Sequence, residues 1–300
     1  MLIKAFVPSH ITAFFVPRFH EDPLKAGSLG AGLNLDKGTT VLLNVEEGPE
    51  RHVYVAFNGE PVKKEEARIS YSVAEELLPG DFMGEVEVWQ YFDFPNGYGF
   101  GNSGAGALGT ALALSHAFKN KTVLQAAQIA HKHEVLNKGG LGDVIAQLAG
   151  GIEVRIKEGA PGVGVADNLF FDDYRVLVVP LGRLSTKKIL DSEVVRAIEL
   201  HGRPALERLL REPTPERMMA LAREFAEKTG LLSGELLDIA RELDGILRNP
   251  ASMIMLGRGL FALVRDDEVE RAKVLLSDMD LPYDVTGIYT RKPEVGRWRG

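Results

Sequence analysis

Apolar and polar residues alternate with a period of two in several short segments near the start of the chain. This alternation is typical of a β-strand that buries one face. It predicts strands over 3–7, 39–45, 53–57 and 85–94. The period then changes to that of amphipathic helices, which are predicted over 105–118 and 122–136 and again from Asp143 onwards, before a strand over 152–156. Thr122 and Gln125 have the spacing of a capping box at the start of the second helix.

The pattern changes after about residue 161. The apolar run YRVLVVPL predicts a buried strand, and it is followed by long helical patterns interrupted at Pro204, Pro213, Pro215 and Gly230. The last part predicts two strands around a glycine turn over 252–264, a helix over 266–279 and a strand over 282–290. A closing order of strand, helix and strand fits a ferredoxin-like layer. The mixture of elements predicts an α+β fold with two closely packed domains, 1–165 and 166–300.

Composition narrows the class of protein. Asp and Glu total 42 against 35 Lys and Arg, which gives a net charge of −7 and disfavours a general nucleic-acid binder. The absence of Cys excludes disulfides, a thiolate nucleophile and a cysteine-bound metal. The amino-terminal segment MLIKAFVPSHITAFF has neither a signal-peptide pattern nor an uninterrupted apolar span. We therefore expect a cytoplasmic enzyme that does not act at a membrane.

The segment PNGYGFGNSGAGALGTAL, residues 95–112, contains six glycines and runs directly into a predicted helix. Glycines allow positive φ and close approach of the backbone to an anion, and a helix N-terminus favours negative charge, so this segment predicts a phosphate-binding loop. A glycine-rich turn is the simpler alternative. Gly99, Gly101 and Gly104 also match GxGxxG, but the expected second strand with its acidic residue is replaced by HAFKNKTVLQ and a helix, which disfavours a dinucleotide-binding oxidoreductase.

The loop resembles the phosphate-binding motif of the GHMP kinases, the family of galactokinase, homoserine kinase and mevalonate kinase. That motif reads Pro, three residues, then Gly-Leu-Gly-Ser-Ser-Ala; here Phe100, Asn102 and Gly104 replace its Leu, first Ser and Ala. Its second Ser is retained as Ser103. The resemblance implies an ATP site, with these nucleotide-binding candidates: Pro95, Gly97, Gly99, Gly101, Asn102, Ser103, Gly104 and Ala105.

A second cluster, HKHEVLNKGGLGDVIAQLAGG, follows the loop. On a helix, Leu124, Ala127, His131 and Glu134 fall on one face that otherwise looks buried. Glu134 could form an ordinary ion pair, His131 could be a hydrogen-bonded core histidine, and Asp143 could simply cap the helix that it begins. The cluster also resembles the GHMP arrangement of a metal-binding Glu, a glycine turn with Asp and a Gly-Gly pair. The resemblance implies that Glu134 and Ser103 bind Mg²⁺ and that Asp143 acts on the acceptor hydroxyl.

The amino-terminal segments narrow the acceptor. FVPSHITAFFVP and GSLGAG resemble archaeal pantoate kinases rather than the Pro-Gly-Lys opening of mevalonate and galactose kinases, and GRLSTKKIL over 182–190 is similar to the same subfamily. The third GHMP motif is degenerate here, at Gly257 and Gly259. The resemblance implies pantoate as the acceptor and a homodimer as the assembly. Homoserine or mevalonate kinase activity, and a nucleotide-binding regulator without catalysis, stay open as alternatives.

A pantoate site needs a cation for the carboxylate and polar partners for the hydroxyl groups. Arg155 would face inward if IEVRI alternates in the expected sense, and it could then bind the carboxylate through two hydrogen bonds. An exposed strand arginine is the alternative. Ser28 and His131 are the other candidates for contact with the substrate.

Overall fold

The computed structural model describes residues 1–184 and 192–298. The strands are β1 Leu2–Arg18, β2 Gly27–Glu47, β3 Arg51–Phe57, β4 Glu60–Pro61, β5 Gly84–Phe92, β6 Ile152–Lys157, β7 Val165–Leu169, β8 Arg175–Arg183, β9 Ser252–Met253, β10 Gly257–Val264, β11 Asp284–Thr286 and β12 Glu294–Arg297. The helices are α1 Arg68–Leu77, α2 Asn102–Phe118, α3 Val123–Leu136, α4 Asp143–Ala149, α5 Ser192–Arg211, α6 Pro215–Lys228, α7 Glu235–Asp244 and α8 Asp266–Asp278. The α+β class is confirmed.

The first sheet is built around an antiparallel pair of long strands. Its order is β12-β1-β2-β5-β3-β4, with β6 added to β2 and β7 to β6. The predicted strand over 3–7 is only the first part of β1, and the predicted strand over 39–45 is only the last part of β2. These strands have 17 and 21 residues. In the rest of each strand consecutive residues are buried on both faces of the sheet. The apolar and polar residues therefore do not alternate there with a period of two. The register of β1 against β2 shifts between Pro8 and Ser9 and again between Thr12 and Phe14.

The glycine-rich α2 packs against this sheet, with α1 and α3 beside it. It begins at Asn102, three residues before the predicted start of 105. The predicted capping box of α3 is confirmed, because the Thr122 hydroxyl accepts from the Gln125 N–H while the Gln125 side chain accepts from the Thr122 N–H. Ala127, His131 and Glu134 are buried as predicted. Leu124 is exposed, so its predicted place on the buried face is wrong: it lies in the first turn of α3.

The second sheet has the order β11-β8-β10-β9, and its paired strands are antiparallel. In chain order this is 4-1-3-2, with α5, α6 and α7 between its first two strands and α8 between its last two. The predicted ferredoxin-like layer is confirmed. The sequence predicts an interruption at Pro204, but Pro204 lies inside α5, so that expectation is wrong. Proline costs a helix one N–H donor, and here the apolar face of α5, including Leu206 and Leu209, packs into the core and retains the helix.

The first sheet contains strands from both of the predicted ranges. Residue 165 begins β7, which pairs with β6 in the first sheet, and β12 near the carboxyl end pairs with β1. The ranges 1–165 and 166–300 stay a prediction of domain limits. Buried apolar side chains from the inner part of β1 join those of the second sheet, which packs the two layers into one core. Among the described helices, none is long and apolar enough to cross a membrane.

Candidate active site

The glycine-rich loop has the backbone conformation that the sequence predicts. Gly97, Gly99 and Gly101 all have positive φ, at 84°, 88° and 65°. Gly101 is the residue before α2, and no side chain caps the first N–H groups of that helix. Asn102 braces the loop by donating from Nδ2 to the carbonyl of Phe94 and to Oδ1 of Asn96, both at 2.8 Å. Free N–H groups at the start of a helix form a site suited to an anion.

Residues of β8 and β10, in the ferredoxin-like layer, contact this loop. A Cβ on Gly257 would overlap the carbonyl of Tyr98, so the turn between β9 and β10 needs glycine there to lie against the loop. Arg183, at the end of β8, donates from Nε to the carbonyl of Asn96 at 3.1 Å. Gly259 lies two residues further along β10, against the carbonyl of Val179. Of the predicted segment 182–190, residues 185–190 lie outside the described residues.

Ser103 and Glu134 meet beside the first turn of α2. The Ser103 hydroxyl donates to Oε1 of Glu134, and the N–H of Gly140 donates to Oε2 at 2.6 Å. Burial raises the pKa of Glu134 to about 7, although these two hydrogen bonds oppose the rise, and the charge of Asp143 adds to it. The partners of Glu134 are thus a hydroxyl and a backbone N–H, not the lysine of an ordinary ion pair. An oxygen pair of this kind is suited to a hard divalent cation.

Asp143 is the first residue of α4, but it does not cap that helix. The residue at the cap position is Gly142, with no side-chain cap, so the N-cap alternative is wrong. The Asp143 carboxylate instead accepts from Nδ1 of His10 at 2.9 Å. On its other side it faces the glycine turn, since a Cβ on Gly140 would meet Oδ2 of Asp143 and lie 3.3 Å from Oε2 of Glu134. The structure therefore brings Ser103, Glu134 and Asp143 together.

A buried charged network continues from Asp143 into the sheet. Nε2 of His10 lies 2.9 Å from Oε1 of Glu153, and the same oxygen accepts from Nη1 of Arg155. Burial alone would lower the pKa of His10, but hydrogen bonds to Asp143 and Glu153 outweigh burial and raise it. Burial alone would raise the pKa of Asp143, but His10 and the charge of Arg155 outweigh it and lower it. Both shifts favour the charged forms of His10 and Asp143, whose side chains lie at ion-pair distance.

Arg155 faces inward as predicted, with 1% of its surface exposed, which rules out the exposed alternative. Its Nε and the Oε2 of Glu153 are buried without a hydrogen-bond partner among the described residues. Ser28 is buried on β2 close by: a Cβ on Gly142 would collide with Oγ of Ser28 and lie 3.0 Å from Nε of Arg155. Gly142 thus leaves a space between a hydroxyl and a guanidinium group.

His131 occupies a different position from the one expected of a substrate ligand. It is buried, and its Nε2 donates to the carbonyl of Ala26 at 2.9 Å. Burial lowers the pKa of His131, so its ring is neutral at neutral pH. This geometry matches the core-histidine alternative. It secures the backbone two residues before Ser28, and direct contact of His131 with substrate stays a prediction.

Sequence reasoning missed two residues of the network, His10 and Glu153. Both lie in segments that the sequence singled out, HITAFF and IEVRI. His10 follows the register shift in β1, and Glu153 faces the same side of β6 as Arg155 because residues two apart in a strand share a face. An acidic residue two positions from an inward arginine was the available signal for Glu153.

Comparison with known proteins shows the family to which the chain belongs. Residues 68–151 match the profile of the GHMP kinases N-terminal domain. A pantoate kinase of Thermococcus kodakarensis is 74% identical over 301 residues and is covered completely, as is this chain. The chain belongs to the pantoate kinase family of the GHMP kinases. A second pantoate kinase, from Methanocaldococcus jannaschii, is 34% identical, with 91% of this chain and 97% of that protein covered.

Solved structures extend the comparison to the whole fold. One described as a phosphotransferase related to the CoA biosynthesis pathway has a TM-score of 0.97 and 73% identity, with both chains covered completely. A homoserine kinase of Cytophaga hutchinsonii has a TM-score of 0.72 at 17% identity, covering 98% of this chain and 97% of its own. This second likeness is evidence for the GHMP fold alone.

Proposed function

We propose that this chain is an ATP-dependent kinase that transfers the γ-phosphoryl group to the primary hydroxyl of pantoate and forms 4-phosphopantoate. The observation that carries the proposal is the convergence of Ser103, Glu134 and Asp143 at the N-terminus of α2, in a chain 74% identical to a pantoate kinase. Phosphoryl transfer requires positioning and charge stabilisation more than covalent chemistry from the protein. These three residues, with the glycine loop, supply both.

The nucleotide is proposed to bind along the loop and the first turn of α2. The turns at Gly97, Gly99 and Gly101 and the free N–H groups of α2 favour the phosphates. Asn102 contributes by bracing the loop, and Gly104 allows α4 to approach, since a Cβ there would lie 2.9 Å from Cβ of Asp143. Pro95 and Ala105 flank the loop; the N–H of Ala105 bonds to Gly101, so its role is in the helix.

Mg²⁺ fits the pair of Ser103 and Glu134. The described residues contain no group of three or more His, Cys, Asp or Glu side chains that could hold a metal ion, so the chain offers two oxygens rather than a complete cage. Mg²⁺ commonly takes one or two protein oxygens and completes its shell with phosphates and water. When bound, the ion neutralises charge on the transferring phosphoryl group. Glu134 would lose its proton to bind it.

The acceptor end is proposed to lie between Asp143 and Arg155. Because Oδ1 of Asp143 is bound to His10, Oδ2 is the oxygen free to accept the proton of the acceptor hydroxyl. Nη1 of Arg155 donates to Glu153, whereas its Nε has no hydrogen-bond partner among the described residues. The edge of the guanidinium group that carries Nε is therefore proposed to bind the carboxylate of pantoate. The Ser28 hydroxyl lies beside that edge and is proposed to bind the substrate as well.

An assay of ADP release with pantoate, homoserine and mevalonate tests the proposal. We expect turnover with pantoate and little or none with the other two. Turnover with homoserine or mevalonate instead would assign a different kinase activity, and ATP binding without ADP release would favour a regulator. The homodimer and the cytoplasmic location stay proposals; light scattering after size exclusion tests the first of them.

A further inference from the structure

His10 is held between two carboxylates that belong to different elements. Its side chain is 1% exposed, Nδ1 lies 2.9 Å from Asp143 of α4, and Nε2 lies 2.9 Å from Glu153 of β6. The only other charged group facing the ring among the described residues is Arg155, whose Nη1 lies 3.5 Å from Nε2. When both carboxylates are ionised they only accept, so each ring nitrogen donates and the ring is an imidazolium.

The surroundings of His10 are shaped to hold it in one orientation. A Cβ on Gly32 would overlap Nε2 of His10 and lie 2.8 Å from Oε1 of Glu153, so β2 leaves room for this contact. Oε1 of Glu153 accepts from both His10 and Arg155. The ring is therefore bonded on one side to Asp143, which is proposed to lie beside the acceptor hydroxyl. On the other side it is linked through Glu153 to Arg155, which is proposed to bind the acceptor carboxylate.

We infer that His10 is a positioning residue for phosphoryl transfer. It holds Oδ1 of Asp143 so that Oδ2 points at the acceptor hydroxyl. Glu153, which accepts from both His10 and Arg155, keeps the His10 ring aligned with Arg155. This inference rests on the proposed function for the identity of the acceptor. Hydrogen bonds between ionised groups are stronger and more directional than neutral ones, which suits this task. His10 does not touch the reacting atoms; it acts through Asp143.

Two substitutions separate the two bonds of the ring. His10→Asn places an amide N–H close to the position of Nδ1, facing Asp143, whereas His10→Gln places one close to the position of Nε2, facing Glu153. A merely structural histidine would be damaged similarly by both changes. His116→Gln, at a partly buried histidine on α2 outside the network, is the matched control and should leave the kinetic constants unchanged.

The expected result is a split between kcat and KM. His10→Gln should lower kcat about tenfold or more, which corresponds to about 1.4 kcal/mol or more, with a pantoate KM within about threefold of wild type. His10→Asn should keep kcat within about threefold and raise the pantoate KM, because Glu153 and Arg155 lose an aligned partner. Equal losses of kcat in the two variants, or losses that follow the unfolded fraction in a thermal scan, would overturn the inference.

A second measurement does not depend on the acceptor. In protein labelled with ¹⁵N-histidine, the ring nitrogens of His10, assigned by comparison with His10→Gln, should both carry protons at pH 7. A neutral ring would overturn the inference whatever the substrate is. Wild-type protein that releases no ADP with pantoate, but shows the doubly protonated ring, would contradict the proposed function and leave the ion-pair geometry of His10 supported.

Discussion

The raised pKa of Glu134 predicts that this one carboxylate destabilises the metal-free protein at neutral and alkaline pH. Its pKa is about 7 in the folded chain against an ordinary value of 4.5. Between these two values the unfolded chain ionises at Glu134 while the folded chain does not. The stability that protonated Glu134 provides is thus present below pH 4.5, falls as the pH rises towards 7, and is lost above it.

The magnitude follows from the difference between the two pKa values. One pKa unit corresponds to about 1.4 kcal/mol, so the whole loss is about 3 kcal/mol, of which 2 to 3 kcal/mol, roughly, falls between pH 5 and pH 8. Glu134→Gln removes this dependence. Its Oε1 can still accept from Ser103, but its amide cannot accept from the N–H of Gly140, which costs about 1 kcal/mol at every pH. Only the pH-dependent part of the difference is diagnostic.

Urea unfolding at pH 5 and pH 8 with a chelator present measures this difference. From pH 5 to pH 8, the free energy of unfolding of Glu134→Gln should rise by roughly 2 to 3 kcal/mol relative to that of wild type. Glu76→Gln is the matched control: Glu76 is partly exposed, and its bonds to Lys132 and His133 outweigh burial and lower its pKa, so removing its charge should weaken the protein at neutral pH. A pH-independent difference in the free energy of unfolding between Glu134→Gln and wild type would show that Glu134 does not have a raised pKa in the folded protein.

Further substitutions and titrations test the site. Because only ionised Glu134 binds Mg²⁺, calorimetry should show the affinity for Mg²⁺ with a non-hydrolysable ATP analogue rising about tenfold from pH 6 to pH 8 in wild type and little in Glu134→Gln. Asp143→Asn should lower kcat by about 10² to 10⁴-fold in steady-state assays, and should also lower the melting temperature because buried His10 loses one of its two charged partners. Arg155→Ala should raise the pantoate KM and lower the free energy of unfolding in urea, because buried Glu153 then keeps His10 but loses its second cationic partner; an unchanged KM would place the carboxylate elsewhere.

The parts of this site that sequence reasoning predicted are those encoded locally. The glycines of the loop and the capping box at Thr122 each depend on residues close together in the chain, whereas the roles of Glu134 and Asp143 rest on the resemblance to the GHMP kinases. The same reasoning failed at Pro204, where packing of α5 outweighs the cost of a proline. The helix cap, which was the local alternative for Asp143, does not form because a distant histidine takes the carboxylate. Local propensity does not show when a tertiary contact outweighs the preference of a residue for a turn or a helix cap.

The buried network could not be derived from local pattern because its contacts are long range. His10 meets Asp143 and Glu153 across separations of 133 and 143 residues, and it does so where β1 changes register. A single strand sequence does not show where such a shift occurs. The length of β1 and β2 was underestimated for a related reason: burial on both faces is decided by which layers cover the strand, and alternation disappears there.

Ser103, Glu134 and Asp143 are proposed to direct phosphate from ATP to the primary hydroxyl of pantoate. Phosphorus NMR of a reaction with ATP, Mg²⁺ and pantoate labelled with ¹³C at the primary alcohol carbon tests it directly. Wild type should form a new phosphomonoester signal coupled to that carbon, and Ser103→Ala and Asp143→Asn should lose this product or form it far more slowly. Phosphate on another oxygen, or undiminished product in either variant, would contradict it.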